Sequence, residues 1–145
     1  VTGEYQERAE SEGLEIISSM PPDNIRIMAD GQSLWRVFNN LFSNICKYSQ
    51  PGTRVYQILE EKDGKAVITY KNISKYELNI SSEELTERFV RGDSSRHTEG
   101  SGLGLSIARN LIELQGGRFN IFIDGDLFKV VIEFDVLKSY INDKM

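Results

Sequence analysis

The 145-residue chain has one cysteine, one histidine, one tryptophan and three prolines. Each scarcity excludes something. A lone Cys46 forms no internal disulfide and no cysteine-based metal site, the usage of a reduced compartment. A lone His97, with no patterned carboxylates around it, argues against a histidine metal centre. No apolar run approaches the roughly 18–20 residues that span a bilayer, and no charged-then-apolar start marks a signal peptide. Basic charge is not in excess: 17 Lys+Arg against 22 Asp+Glu leave a net −5, which argues against a nucleic-acid partner. Repeats and low-complexity linkers are also missing. What is present, 39% hydrophobic and 27% charged residues, fits one globular domain with a real core, expected to be cytoplasmic. Val1 in place of an initiator methionine leads us to expect a fragment of a longer protein.

Local patterns divide the chain. Glu4–Glu12 is charged, lacks Gly and Pro, and reads as one or two helical turns. Leu14–Ser18 and Ile25–Ala29 are β-prone runs around Pro21 and Pro22, which predicts an early hairpin. Asp30 is a helix N-cap, and Leu34, Val37, Phe38, Leu41, Phe42 and Ile45 recur at the spacing of a buried helical face up to about Tyr48. Pro51 and Gly52 close that helix. Arg54–Glu61 and Lys65–Asn72 form a hairpin through Asp63-Gly64. A short helix is expected over Ser81–Phe89 and a polar loop over Arg91–Ser101. Leu103–Leu114 is a second clear helix, stopped by Gly116 and Gly117 as left-handed residues. Phe119–Ile123 and Phe128–Val136 make a closing hairpin that turns at Asp124-Gly125. The fold class is therefore α+β: a two-layer sandwich with a mixed, largely antiparallel sheet against about three helices.

Chemistry concentrates in two places. At about 100° per residue, Asn40, Asn44 and Lys47 fall within roughly 60° of one another, with Tyr48 at the edge of that sector. Amide oxygens suit a hard divalent cation that keeps most of its waters, an ammonium suits a phosphate, and a ring suits a base. A polar helix rim with a solvated lysine has the same spacing. The second place is Gly100-Ser-Gly-Leu-Gly-Leu105, three alternate glycines opening a helix, where free backbone N–H groups favour an anion. It is neither a P-loop nor a dinucleotide fingerprint, and a flexible linker with close helix packing would also read this way. Arg91, Arg96 and His97 lie in the polar loop just before it, as surface residues or as a cover for phosphates. Cys46 reads as a small buried helix residue and Trp35 as a rim or core aromatic.

Together these segments resemble the ATP-binding catalytic domain of bacterial sensor histidine kinases, in the GHKL superfamily shared with gyrase and heat-shock chaperone ATPases. The resemblance covers about Leu14–Val136. Asn40-Leu-Phe-Ser-Asn-Ile-Cys-Lys-Tyr48 is similar to the family's asparagine box, Glu87-Arg-Phe-Val-Arg91 to its phenylalanine box, and Gly100–Ile107 to its second glycine box. The resemblance implies ATP and Mg²⁺ as ligands. Asn44, assisted by Asn40, would hold the metal, Lys47 would contact phosphate oxygens, and Tyr48 would line the adenine side. Phe89 would pack at the lid base. Gly102 and Gly104 would let backbone amides approach the phosphates, with Leu103 and Leu105 anchoring the helix. Arg96, with Arg91, would reach the γ-phosphate.

The first glycine box departs from the family pattern. Counting back from Phe89 puts Asn72 where the family has an aspartate that accepts from the adenine amino group, and Ser74 and Tyr76 where it has glycines. An asparagine oxygen can accept the same bond without charge. By this resemblance, residues 1–13 end an upstream linker or dimerisation helix, 14–138 form the ATP-binding domain, and 139–145 are a tail. The acceptor would be a histidine on a separate dimerisation domain of the same, membrane-anchored protein, with a response regulator downstream. The chain alone is expected to bind ATP without autophosphorylating. Two other readings stand beside this one: a degenerate regulatory module that binds a partner protein, and a serine kinase of the anti-sigma-factor type.

Overall fold

The computed structural model describes residues 2–21, 25, 27–75 and 101–137, with 2–5 and 101–104 described by their backbone. Along them run α1 (Thr2–Ser11), β1 (Glu15–Ser19), α2 (Gly31–Tyr48), β2 (Arg54–Lys62), β3 (Lys65–Ile73), α3 (Ser101–Leu114), β4 (Arg118–Asp124) and β5 (Leu127–Asp135). The strands form one sheet in the order β1-β2-β3-β5-β4. Only β1 and β2 pair in parallel, and the other three pairings are antiparallel. This is the mixed, largely antiparallel sheet that the sequence predicts, with three helices among the described residues.

One face of the sheet carries the core. Val55 on β2, Tyr70 on β3, Val130, Ile132 and Phe134 on β5, and Phe119 and Ile121 on β4 are all buried. From the helix layer α2 contributes Val37, Leu41, Phe42, Ile45 and Cys46, and α3 contributes Leu105, Ala108 and Ile112. The Phe42 ring meets Tyr70 edge-on at 5.4 Å between centroids, and Phe38 lies 6.1 Å from the same ring. Burying each such large apolar side chain is worth about 1.5–3 kcal/mol, whereas helix propensity differs among ordinary residues by well under ~1 kcal/mol. The apolar stripe therefore sets the rotation of α2, and through it the direction of the polar residues beside the stripe.

Four expectations need correction or a limit. The early hairpin does not form: β1 pairs in parallel with β2 across α2, and the run after the prolines reaches the sheet through a single bridge, Ile27 to Val136. Parallel neighbours need a long crossover, which α2 supplies, while Pro21 and Pro22 have no N–H to give to a ladder. The last turn is Gly125-Asp126, one residue later than expected, with Asp124 paired to Leu127 and Gly125 at positive φ. Gly116 takes the left-handed conformation at φ +85°, but Gly117 does not. At Gly117 a Cβ would lie 2.8 Å from Ile112 Cγ2 and from Phe134 Cε1, so close packing requires the glycine there. The predicted helix Ser81–Phe89 lies outside the described residues. The Asp63-Gly64 turn agrees with expectation, both residues having positive φ.

Candidate functional site

Helix α2 starts at Asp30, whose carboxylate accepts the backbone N–H of Ser33 at 3.0 Å and its hydroxyl at 2.6 Å. Those bonds, the hydroxyl's first, hold the exposed Asp30 carboxyl below the ordinary carboxylate range. The Asp30 N–H also donates to Gln115 Oε1 at 2.6 Å, just past the end of α3. The start of α2 is thus tied to the end of α3. Packed side by side, the two helices run in opposite directions, so the first turn of α3 lies toward the end of α2 that bears Asn44, Lys47 and Tyr48. A 14-residue helix is about 20 Å long, enough to carry that turn most of the way along α2.

The polar sector of α2 is half-buried throughout: Asn40, Asn44, Lys47 and Tyr48 are neither in the core nor fully in water. Lys47 lies in the last turn of α2. Beyond that turn the chain is sewn onto β3. Ser49 N–H returns to Ile45 O at 3.0 Å, Gln50 N–H donates to Ile73 O at 2.7 Å, and Lys75 N–H donates to Tyr48 O at 2.9 Å. Ser49 also bridges Ser74, whose N–H bonds Asp126 O at 2.8 Å in the final turn. Asn72 is buried, on the helix side of β3, and its Nδ2 donates to Ser49 Oγ at 2.9 Å. Oδ1 remains as the acceptor end of that amide.

The structure therefore brings Asn44, Lys47, Tyr48 and Asn72 toward one end of the helix layer, with Asn40 one turn further back along α2. Gly102, Leu103 and Gly104 lie in the first turn of α3, which begins at Ser101, two residues earlier than expected. The first N–H groups of any helix lack intrahelical acceptors, so this turn is a source of backbone donors. Leu105 is buried among the core residues between the helices. Phe89, Arg91, Arg96 and Gly100 lie outside the described residues. Trp35, at 47% exposure, is a rim aromatic, and Cys46 is buried, which raises its thiol pKa.

Sequence reasoning missed Ser49. Its signal was present, a small hydroxyl residue at the end of a helix directly after a candidate site residue, but its partner stands 23 positions away. It also missed a row of polar groups crossing the sheet's helix side. Tyr70 OH donates to Gln57 Oε1 at 3.0 Å, and Gln57 Nε2 donates to Ser18 Oγ at 3.3 Å. Burial pushes the Tyr70 hydroxyl pKa upward, so it stays protonated as a donor.

Residues 29–136 match the family model of the histidine kinase-, DNA gyrase B-, and HSP90-like ATPases. The chain belongs to that family. Among curated relatives it is 33% identical over 118 residues to the signal transduction histidine-protein kinase BaeS of Escherichia coli K12, across 80% of this chain and 25% of BaeS. To the probable sensor protein PcoS of Escherichia coli it is 37% identical over 113 residues, 75% of this chain and 24% of PcoS. The chain thus spans about a quarter of the length of these relatives. The catalytic domain of histidine kinase ThkA superposes with a TM-score of 0.77 at 21% identity, covering 92% of this chain and 86% of that domain. The domain is an ATP-binding catalytic domain of the sensor histidine kinase type. Among the described residues no helix is long and apolar enough to cross a membrane.

Proposed function

We propose that this domain presents Mg-ATP for γ-phosphoryl transfer to a histidine on a dimerisation domain of the same protein, from which a response regulator is then phosphorylated. The observation that carries the reading is the meeting of the α2 polar sector with Asn72 at the α2–β3 seam, beside the glycine-rich first turn of α3. Among the described residues no three His, Cys, Asp or Glu side chains cluster as a metal site. Two neutral amides one helical turn apart, Asn40 and Asn44, fit a hydrated divalent cation delivered with the nucleotide's own phosphates. Bound Mg²⁺ supplies charge neutralisation at the phosphates.

In this reading the chain's own residues position the nucleotide. Asn44 and Asn40 hold the cation's side, and Lys47 and the first-turn N–H groups of α3 around Gly102, Leu103 and Gly104 hold phosphate oxygens. Tyr48 lines the base and Asn72 Oδ1 accepts from its amino group. Leu105 anchors α3 beneath the phosphates. Phe89, Arg91, Arg96 and Gly100 complete the lid side. Residues 1–13, including α1, end the segment from the dimerisation domain; residues 14–138 form the ATP-binding unit and 139–145 its tail. The whole protein is then membrane-anchored with this part in the cytoplasm.

The test is calorimetric titration of Mg-ATP into this chain and into Asn44→Ala, with Mg-GTP as control. Saturable ATP binding, a metal-dependent part lost in Asn44→Ala, and no GTP binding are expected. Absence of binding at millimolar ATP sinks the reading. A second reading, a regulatory module binding a partner protein, is favoured by Ser74, which replaces the box's first glycine and bridges Ser49; that absence of binding is its expected result.

A further inference from the structure

Asn72 offers two nearly isosteric ends, a donor and an acceptor, where an aspartate would offer two acceptors. An amide free to turn could receive either a 6-amino or a 6-oxo purine. Asn72 is only 5% exposed and Ser49 only 3%, so what pairs with each end matters energetically. The Ser49 hydroxyl could donate to an inward Oδ1 as well, but Nδ2 carries two hydrogens, and turning it outward would leave both without a partner in the absence of ligand. Turned inward, it donates to Ser49 Oγ at 2.9 Å. The hydroxyl's own place is fixed by the backbone: Ser49 N–H bonds Ile45 O, and its neighbours Tyr48 and Gln50 bond Lys75 and Ile73 across the seam.

We infer that Ser49 is a positioning residue for nucleobase choice: it anchors Asn72 Nδ2, so that Oδ1 faces the ligand and selects a 6-amino purine over a 6-oxo purine. The inference rests on the proposal that the chain binds ATP. It makes the seam a substitute for the missing carboxylate, because a pinned amide presents one defined acceptor. It also makes Ser49 dispensable wherever residue 72 is symmetric.

The experiment titrates Mg-ATP and Mg-ITP, which carries a 6-oxo group, into the chain and into Ser49→Ala, Ser49→Thr, Asn72→Asp and Ser49→Ala/Asn72→Asp, with melting temperatures on the same samples. The chain is expected to prefer ATP. Ser49→Ala should lower the ATP:ITP affinity ratio about tenfold, and Ser49→Thr, which keeps the hydroxyl, should retain it. With Asn72→Asp in place, adding Ser49→Ala should leave the ratio unchanged. An unchanged ratio in folded Ser49→Ala overturns the inference, as does an equal loss in the Asn72→Asp background. If the unaltered chain binds neither nucleotide, the ATP reading itself fails and takes this inference with it. If it binds ATP selectively and only the Ser49 effect is missing, the inference fails alone.

Discussion

Lys75 N–H bonds the carbonyl of Tyr48 at 2.9 Å, which joins the last residue of α2 to the chain just past β3. With the Gln50–Ile73 bond, this seam makes the end of α2 and the end of β3 one rigid corner. The apolar stripe fixes how α2 is rotated, and the seam fixes how far along the sheet it sits. Between them they determine where Asn44, Lys47 and Asn72 stand relative to one another.

Lys47→Gln removes a charge while keeping a similar length. If Lys47 meets phosphate oxygens, the variant should bind Mg-ATP about tenfold more weakly and adenosine as before. Titration of both ligands checks this. An equal loss for adenosine would move Lys47 away from the phosphates.

The cap on α2 carries a pH signature. Asp30 has a folded pKa below its unfolded value, because Ser33 donates to the carboxylate. Its contribution is therefore present at neutral pH and is lost as pH falls below about 4 toward the folded pKa. An asparagine in its place can still cap but does not titrate, so Asp30→Asn should flatten part of the decline in melting temperature between about pH 5 and 2. An unchanged slope would mean that the cap ionises alike in both states.

Gly117→Ala should destabilise the fold by about 1–3 kcal/mol, because the new methyl meets Ile112 and the Phe134 ring at 2.8 Å. Urea denaturation measures the loss. Phe134→Leu in the same chain should recover part of it, and full additivity of the two changes would contradict the steric account.

Tyr70→Phe removes the hydroxyl that donates to the buried Gln57 Oε1 and should cost about 1–3 kcal/mol. Adding Gln57→Leu should be less damaging than the sum of the single changes. A double-mutant cycle by chemical denaturation gives the coupling.

Elements built from local pattern were legible in the sequence. The α2 stripe, its Asp30 cap and the Asp63-Gly64 turn each declare themselves within a few residues. So did the Asn40–Asn44–Lys47 sector, since helix geometry alone aligns it. What was not legible depends on distant partners. Nothing in Leu14–Ser18 says that its neighbour is β2 and not the run beyond the prolines, because parallel pairing is decided by the whole α2 crossover. The final turn slipped by one residue because Asp124-Gly125 and Gly125-Asp126 carry equivalent turn chemistry, and the ladder register chose between them. Asn72 was located through the family resemblance, and Ser49 became visible only once α2 and β3 were side by side.

Asn72 stands opposite Phe128 in the β3–β5 ladder. One flank of the strand end that carries Asn72 is thus supplied by a strand synthesised after α3. A nascent chain that has emerged only through α3 already holds α2, β3 and the glycine run, yet the inner edge of β3 is still unpaired. If Asn72 meets the base as proposed, nucleotide competence arrives with the last hairpin, and a chain cut short before Leu127 keeps the residues of the proposed site without the strand that pairs beside Asn72.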